Sequence, residues 1–265
     1  GAEICGIGLQ PNTDPSLFNL LDLENRIQSH ILDIRDLQNV KRIFDEFKPE
    51  IVFHLAAQPL VIDSYKNPVY TFDVNVIGTV NILECIRLNP CVKSFVNVTT
   101  DKVYENQEQE SYGYVETDRL NGYDPYSNSK SCSELVTASY CKSFFSDRNL
   151  AVSTCRAGNV IGGGDFSENR IVPDCIKYTV KNIPIIVRNP NSVRPYQHVL
   201  EADMFYLMLA MKQYNNKSYA GNYNIGPDDS DCVTTSQLCE LFCHFWEGAK
   251  WKATDYQGPH EANFL

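Results

Sequence analysis

The sequence predicts an α/β fold built on a doubly wound parallel sheet, and three observations carry that prediction. Strand-like and helix-like segments alternate from residue 2 to residue 156, the order that places helices on both faces of a parallel sheet. Residues 50–56 form a near-continuous apolar run, the pattern of a strand buried on both faces. A β-branched stretch, residues 92–100, ends in the polar tip Thr100-Asp101-Lys102, at the carboxyl end where open parallel sheets place their ligands.

Each element has its own signal. Residues 2–8 form a short apolar strand, and residues 29–34 a second that leads into a helix over 37–47. After the run at 50–56, residues 75–88 carry Val76, Thr79, Val80, Leu83 and Ile86 at helical spacing. The strand over 92–100 follows. Asp124-Pro125 then supplies an N-cap and a proline at the first helical position, opening a helix from Tyr126 through Val136. Residues 150–156 read as another strand and 238–246 as an apolar helix. From Gly158 onward the pattern turns irregular, with loops rich in glycine, proline and asparagine.

Composition excludes some classes of function. At 265 residues the chain is long enough to bury a large core. Its formal net charge of −10 argues against a nucleic-acid partner. No apolar run reaches about 18 residues, and no signal-peptide pattern opens the sequence, so no membrane span is expected. Ten cysteines without a C-x-x-C pair read as reduced, mostly buried thiols of a cytoplasmic protein. Cys239, Cys243 and His244 lie close together, but on an apolar helix they read as packing, and no metal is expected. His54, inside an apolar run, reads as a packed core histidine.

Tyr126 and Lys130 are the most telling pair. Positions four apart share a helix face, so phenol and ammonium point into the same space. An ammonium beside a phenol favours the phenolate, which makes a proton acceptor nearer neutral pH. Thr100, Asp101 and Lys102 add a hydroxyl, a carboxyl and an ammonium at a neighbouring strand end.

With these residues the sequence resembles the extended short-chain dehydrogenase/reductase family, whose active site joins a Ser/Thr after the fourth strand to a Y-x-x-x-K helix. Thr100-Asp101-Lys102-Val103-Tyr104-Glu105-Asn106 is similar to the nucleotide-sugar 4,6-dehydratase branch that acts on CDP-glucose. So are Phe47-Lys48-Pro49-Glu50 with His54-Leu55-Ala56-Ala57-Gln58-Pro59, Arg156-Ala157-Gly158-Asn159, Arg194-Pro195-Tyr196-Gln197-His198-Val199 and Pro259-His260-Glu261-Ala262. These matches run the length of the chain.

The resemblance implies a Rossmann-type NAD-binding domain over residues 1–158 and a smaller, mainly substrate-binding domain over 159–265, interleaved with the sheet. It implies a nucleotide-sugar substrate, CDP-glucose, and a homo-oligomer, dimer or tetramer. In the implied reaction Tyr126, held by Lys130, takes the proton of the 4-hydroxyl while Thr100 bonds the same oxygen. Asp101 protonates the departing 6-hydroxyl. Lys102 stands where related dTDP-glucose dehydratases carry glutamate; it acts either as a neutral amine that takes the C5 proton or as an ammonium that stabilises the enolate. NAD is expected against Asp33, Ile34, Leu55, Ala56, Ala57, Gln58, Tyr126 and Lys130. The substrate is expected against Asn159, Arg170, Arg194 and His260.

One part of that family's pattern is missing. Its first strand ends in G-x-x-G-x-x-G, whose amides hold the cofactor pyrophosphate, and no such spacing occurs near residue 1. The chain opens on what resembles the family's second strand, so it reads as a fragment lacking the first strand–turn–helix unit and a carboxyl-terminal portion. Gly162-Gly163-Gly164 is no substitute, because Asp165 and Glu168 put carboxylates where a phosphate has to sit. Near Leu9-Gln10 there is neither an acid for a ribose hydroxyl nor an arginine for a 2′-phosphate, so NAD rests on the resemblance alone. Two other functions share the fold. A nucleotide-sugar 4-epimerase has no need of an acid–base pair after Thr100, and a catalytically silent dinucleotide-binding regulator has no need of Tyr126 and Lys130.

Overall fold

The structure is a computed structural model that describes residues 1–109, 112–255, 258 and 262–264. Strands β1 (Cys5–Gly8) and β2 (Gln28–Ile31) are joined through two short helices, α1 (Leu17–Leu20) and α2 (Leu23–Arg26). Helix α3 (Leu37–Phe47) matches its expected bounds, with the Asp36 side chain accepting from Asn39 N at 3.1 Å as its N-cap. β3 (Ile51–His54) leads through α4 (Val61–Lys66) to α5 (Pro68–Phe72). One π turn, Asp73–Ile77, carries that helix on into α6 (Gly78–Leu88). The helix expected from residue 75 therefore starts at Pro68, where proline occupies the first position at no hydrogen-bonding cost. β4 (Ser94–Val98), α7 (Pro125–Tyr140) and β5 (Ala151–Ala157) complete this half.

Beyond Gly158 the chain is far more regular than its sequence suggests. It forms β6 (Asn159–Ile161), α8 (Ile171–Val180), β7 (Ile185–Val187), β8 (Val193–Arg194) and β9 (Tyr196–His198). These are followed by α9 (Val199–Asn215), β10 (Asn222–Ile225), β11 (Val233–Thr234), α10 (Thr235–Phe245) and β12 (Trp251–Ala253). The seventeen-residue α9 escaped the periodicity reading for a physical reason. It buries Ala202, Tyr206 and Leu209 on one face and exposes Leu200, Met204, Leu207 and Met211 on the other, so no single apolar stripe stands out.

The main sheet has the order β10-β5-β4-β3, all parallel, with Phe95 opposite both Val52 and Val152. One face packs on α3, α6 and α7 through Val40, Phe44, Leu83, Ile86 and Phe95. The other packs on α9 through Val96, Cys155, Ala202 and Tyr206. β1 and β2 form a separate parallel pair; among the described residues β3 bonds only β4. Ile7 and Val52 nevertheless pack on the same core. The apolar run at 50–56 is thus not buried on both faces: Ile51 is 36% exposed and Leu55 55%, because only one edge of β3 is covered. Small two-stranded sheets, β6–β9, β7–β12 and β8–β11, build the rest.

One helix, Pro68–Leu88, is long and apolar enough to cross a membrane by length and composition. More than half of it is buried in the fold, and Asn75, Thr79 and Asn81 hydrogen-bond neighbouring elements, so here it serves as a core helix.

Candidate active site

Two local structures bring the reactive side chains together. Thr100 leaves β4 in extended conformation and caps a short 3-10 turn, Asp101–Val103, its hydroxyl accepting from Lys102 N at 3.4 Å. Opposite it, the Asp124 carboxylate caps α7, accepting from Ser127 N at 3.0 Å and Ser127 Oγ at 2.6 Å. Ser131 joins the two: its Oγ donates to Val103 O at 2.7 Å and accepts from Gly122 N at 3.0 Å. Gly122 lies so close to the first turn of α7 that a Cβ there would sit 2.3 Å from the Ser127 carbonyl carbon.

A cavity of about 340 Å³ opens between them, lined by Thr100, Asp101, Lys102, Tyr126, Asn159, Arg170 and Arg194. Seven residues named from the sequence thus share one space. Lys102 also borders a second cavity of about 210 Å³, with Tyr104, Asn106 and Tyr123. Thr100 Oγ1 donates to Asp101 Oδ1 at 3.0 Å and hydrogen-bonds the Tyr126 phenol, so phenol, hydroxyl and carboxyl form one row. Asp101 Oδ2 is fully covered and has no partner. Burial raises the Asp101 pKa above the usual carboxylate range, with Lys102, the Thr100 bond and Arg194 opposing.

Tyr126 behaves differently from the expectation. Burial pushes its phenol up to about 12, against the Thr100 hydrogen bond and the Arg170 charge. No hydrogen bond joins Lys130 to it: that side chain is 5% exposed, with Nζ donating to Val98 O at 2.9 Å. Burial brings Lys130 itself down to about 8, with Glu134 opposing. A shared helix face put the two side chains on one side, but the ammonium spends its charge on the strand carbonyl.

Arg170 pairs with Asp165 at 3.0 Å on the cavity wall. Arg194, 5% exposed, turns its guanidinium to the carbonyls of Val193 at 2.8 Å, Asn263 at 3.3 Å and Ala262. His260 lies outside the described residues. Of the residues expected at the cofactor, Tyr126 lines this cavity, whereas Asp33, Ile34, Leu55, Ala56, Ala57 and Gln58 follow the ends of β2 and β3. Asp33 is bonded to Arg35, whose other nitrogen meets Asp73, and this holds its carboxyl below the usual range. The Ile34 side chain fills the core beneath Gly78. Gln58 spends its side chain on Leu60 and Thr71, while Leu55 is open.

Three residues of this region had been given no role from the sequence. Asn75, in the π turn, accepts from Gln58 N at 2.8 Å and donates to Gln58 O at 3.1 Å and Ser129 Oγ at 2.8 Å, tying the end of β3 to α7. Glu134 and Arg156 form an ion pair whose side chains are 2% and 1% exposed. The spacing 126, 130, 134 was the available signal for Glu134; Asn75 had none. Cys239, by contrast, faces Cys175 with sulfurs 4.0 Å apart in the core of the small sheets, and all ten cysteines are free thiols. No cluster of three metal-ligating residues occurs among the described residues.

Comparison with known proteins decides the family. Residues 13–238 match the family described as GDP-mannose 4,6 dehydratase. The chain belongs to this family. It is 42% identical to a CDP-glucose 4,6-dehydratase of Salmonella typhimurium, over 100% of this chain and 76% of that protein. A dTDP-D-glucose 4,6-dehydratase of Dictyostelium discoideum is 32% identical, over 76% of this chain and 46% of the relative. Among solved structures, a UDP-glucose 4-epimerase of Thermus thermophilus in complex with NAD superposes with a TM-score of 0.79 at 25% identity, covering 90% of this chain and 75% of that one. This dehydratase family thus shares its parallel, doubly wound architecture with the epimerases.

Proposed function

We propose that the protein dehydrates CDP-glucose to the 4-keto-6-deoxy sugar nucleotide, with NAD as resident cofactor. The observation that carries this reading is the row Tyr126, Thr100, Asp101 in one cavity with Lys102. An epimerase needs the phenol and the hydroxyl; the carboxyl beside them, whose buried Oδ2 has no partner, has work only in an elimination.

The residues present fit the cofactor. Asp33, Leu55 and Thr100 all follow parallel strands at their carboxyl ends, on the crevice side of the sheet. Leu55 and Ala56 offer apolar surface there, with the Gln58 backbone held by Asn75 and Lys130 bonded to the Val98 carbonyl near the end of β4. NAD supplies reversible hydride acceptance when bound. The chain's own groups manage the protons. Tyr126 accepts the 4-hydroxyl proton, with Thr100 bonding that oxygen. Asp101, whose acid form burial favours, donates to the departing 6-hydroxyl. Lys102 either takes the C5 proton as a neutral amine or, as an ammonium, stabilises the enolate formed as that proton leaves. Asn159 and the planar forks of Arg170 and Arg194 suit a diphosphate, Arg194 exchanging the Ala262 and Asn263 carbonyls for phosphate oxygens. In this reading residues 1–158 hold the cofactor, the later residues mainly hold substrate, and the protein works as a cytoplasmic homo-oligomer.

Incubation with CDP-glucose and NAD is the test. A 4-keto product absorbing in alkali is expected. A galactose epimer would assign an epimerase instead, and an unchanged sugar with bound dinucleotide a regulator. Parallel assays with UDP-, dTDP- and GDP-sugars check the nucleobase.

A further inference from the structure

The Glu134–Arg156 pair is satisfied at every polar atom. Arg156 Nε donates to Glu134 Oε1 at 2.7 Å and Nη2 to Oε2, while Nη1 donates to Tyr104 OH at 2.8 Å and Glu116 O at 3.0 Å. The remaining capacity of Glu134 is taken by the hydroxyls of Thr99 at 2.6 Å and Thr154 at 3.2 Å. A pair buried this deeply is weak as a source of stability, since well-packed apolar side chains do as well. Its location suggests another purpose. Glu134 lies one helical turn after Lys130 on the same face of α7, as Lys130 lies one turn after Tyr126.

Lys130 is a buried cation with a single carbonyl acceptor. A carbonyl does little against the loss of hydration, so the charged form depends on a nearby anion. The ionisable groups on the elements packed against it are few. From β3 comes His54, neutral because burial takes it down to about 3. From the end of β4 comes Asp101, raised and turned to Thr100. Arg156 comes from β5, on the far side of the carboxylate it pairs with, and does not figure among the charges acting on Lys130. Asp73 of the π turn is bound to Arg35, and Asp63 of α4 to Lys66. On α7 itself there are Tyr126, Asp124 at the cap, and Glu134. Among these, only Glu134 opposes the loss of the Lys130 proton.

We propose that Glu134, clamped by Arg156, is a positioning residue of the reaction: it keeps Lys130 an ammonium at neutral pH and fixes where that ammonium sits. Its catalytic consequence rests on the proposed dehydration; its effect on Lys130 does not. Removing the carboxylate removes the one charge that favours the protonated lysine. The fraction of ammonium then falls at a lower pH, and the alkaline limb of turnover moves with it. Arg156 enforces the geometry by holding both carboxylate oxygens, and Thr99 brings the end of β4 to the same point.

The test is a side-chain NMR titration of isotopically labelled lysine, assigned with Lys130→Met, run beside the pH–rate profile. In the wild-type protein the Lys130 midpoint is expected near 8. Glu134→Gln leaves Arg156 unpaired and endangers folding, so the decisive variant is Glu134→Gln with Arg156→Gln, which keeps the site neutral. Both charges leave together, so its midpoint should fall by less than the about 1–3 pH units a lone adjacent opposite charge is worth, since the carboxylate acts on Lys130 where the guanidinium does not. Glu134→Asp should recover most of that fall. A wild-type midpoint at the ordinary lysine value, or an unchanged midpoint in the double variant, overturns the proposal and leaves the pair a packing feature. If the midpoints move as stated but no sugar nucleotide turns over, the dehydratase reading fails and the control of Lys130 stands.

Discussion

The Thr100 hydroxyl bonds both the Tyr126 phenol and the Asp101 carboxyl, and burial drives both neighbours toward their protonated forms. A base and an acid therefore sit side by side with opposite needs. Burial favours the acid form of Asp101, and as pH rises through its raised pKa the acid is lost, so elimination should weaken on the alkaline side. Tyr126 is not ready until positive charge approaches it. Tyr126→Phe should cut turnover about 10²–10⁴-fold with the fold intact, the usual scale for loss of a general base, as steady-state assays beside circular dichroism will report. Asp101→Asn should oxidise substrate yet fail to release water. Mass spectrometry of quenched reactions would then find an oxidised sugar nucleotide that retains its 6-hydroxyl; its absence would put Asp101 at an earlier step. Arg194→Ala should raise KM more than it lowers kcat, since a phosphate contact persists through the reaction. At this scale the identities were legible and the protonation states were not. A spacing of four residues places Tyr126 and Lys130 on one face, but pKa values follow burial, and burial depends on β4 and α8, which are remote in sequence.

Asn75 occupies the π turn of the long helix, where the extra residue turns its amide toward both Gln58 and α7. Asn75→Ala would leave Gln58 N, Gln58 O and Ser129 Oγ short of a partner, at about 1–3 kcal/mol for each group left buried and unsatisfied. Thermal unfolding should register the loss, with cofactor affinity falling more than substrate affinity because Gln58 ends the β3 loop. The same helix holds His54 through Thr79 Oγ1 at 3.0 Å. His54 titrates lower in the folded chain than in the unfolded one, near 3 against an ordinary 6.5. Its contribution is thus present above pH 6.5 and lost as pH falls toward 3, by at most about 5 kcal/mol. Urea unfolding at a series of pH values should show that slope, and His54→Gln should flatten it. Elements with a clear boundary residue were legible: Asp36 and Asp124 cap helices that begin where expected. The π turn was not, since it preserves apolar periodicity while shifting the phase. Nor was the helix start at Pro68, because Pro68-Val69-Tyr70 carries no apolar stripe of its own.

The whole molecule divides along β1–β2. The alternation of strands and helices was legible over the first half, where each β-branched run is closed by a polar turn. The second half hid α9 behind two apolar faces and dispersed its short strands among three small sheets that only tertiary pairing defines. Which strands neighbour each other was likewise beyond the sequence, and it has a measurable consequence. β4 is hydrogen-bonded on both edges, to β3 and β5, and Phe95 and Val96 are 0% exposed. β1 is bonded only to β2 among the described residues, and none of Cys5–Gly8 is fully buried. Backbone bonds at such a margin open without breaking the main core, whereas those of β4 open only with it. Hydrogen exchange followed by mass spectrometry should therefore find the β1 and β2 amides of these 265 residues exchanging on the order of 100-fold faster than those of β4 and β5. Equal protection would mean that Ile7 and Val52, packed on one core, suffice to make the two parts a single cooperative unit.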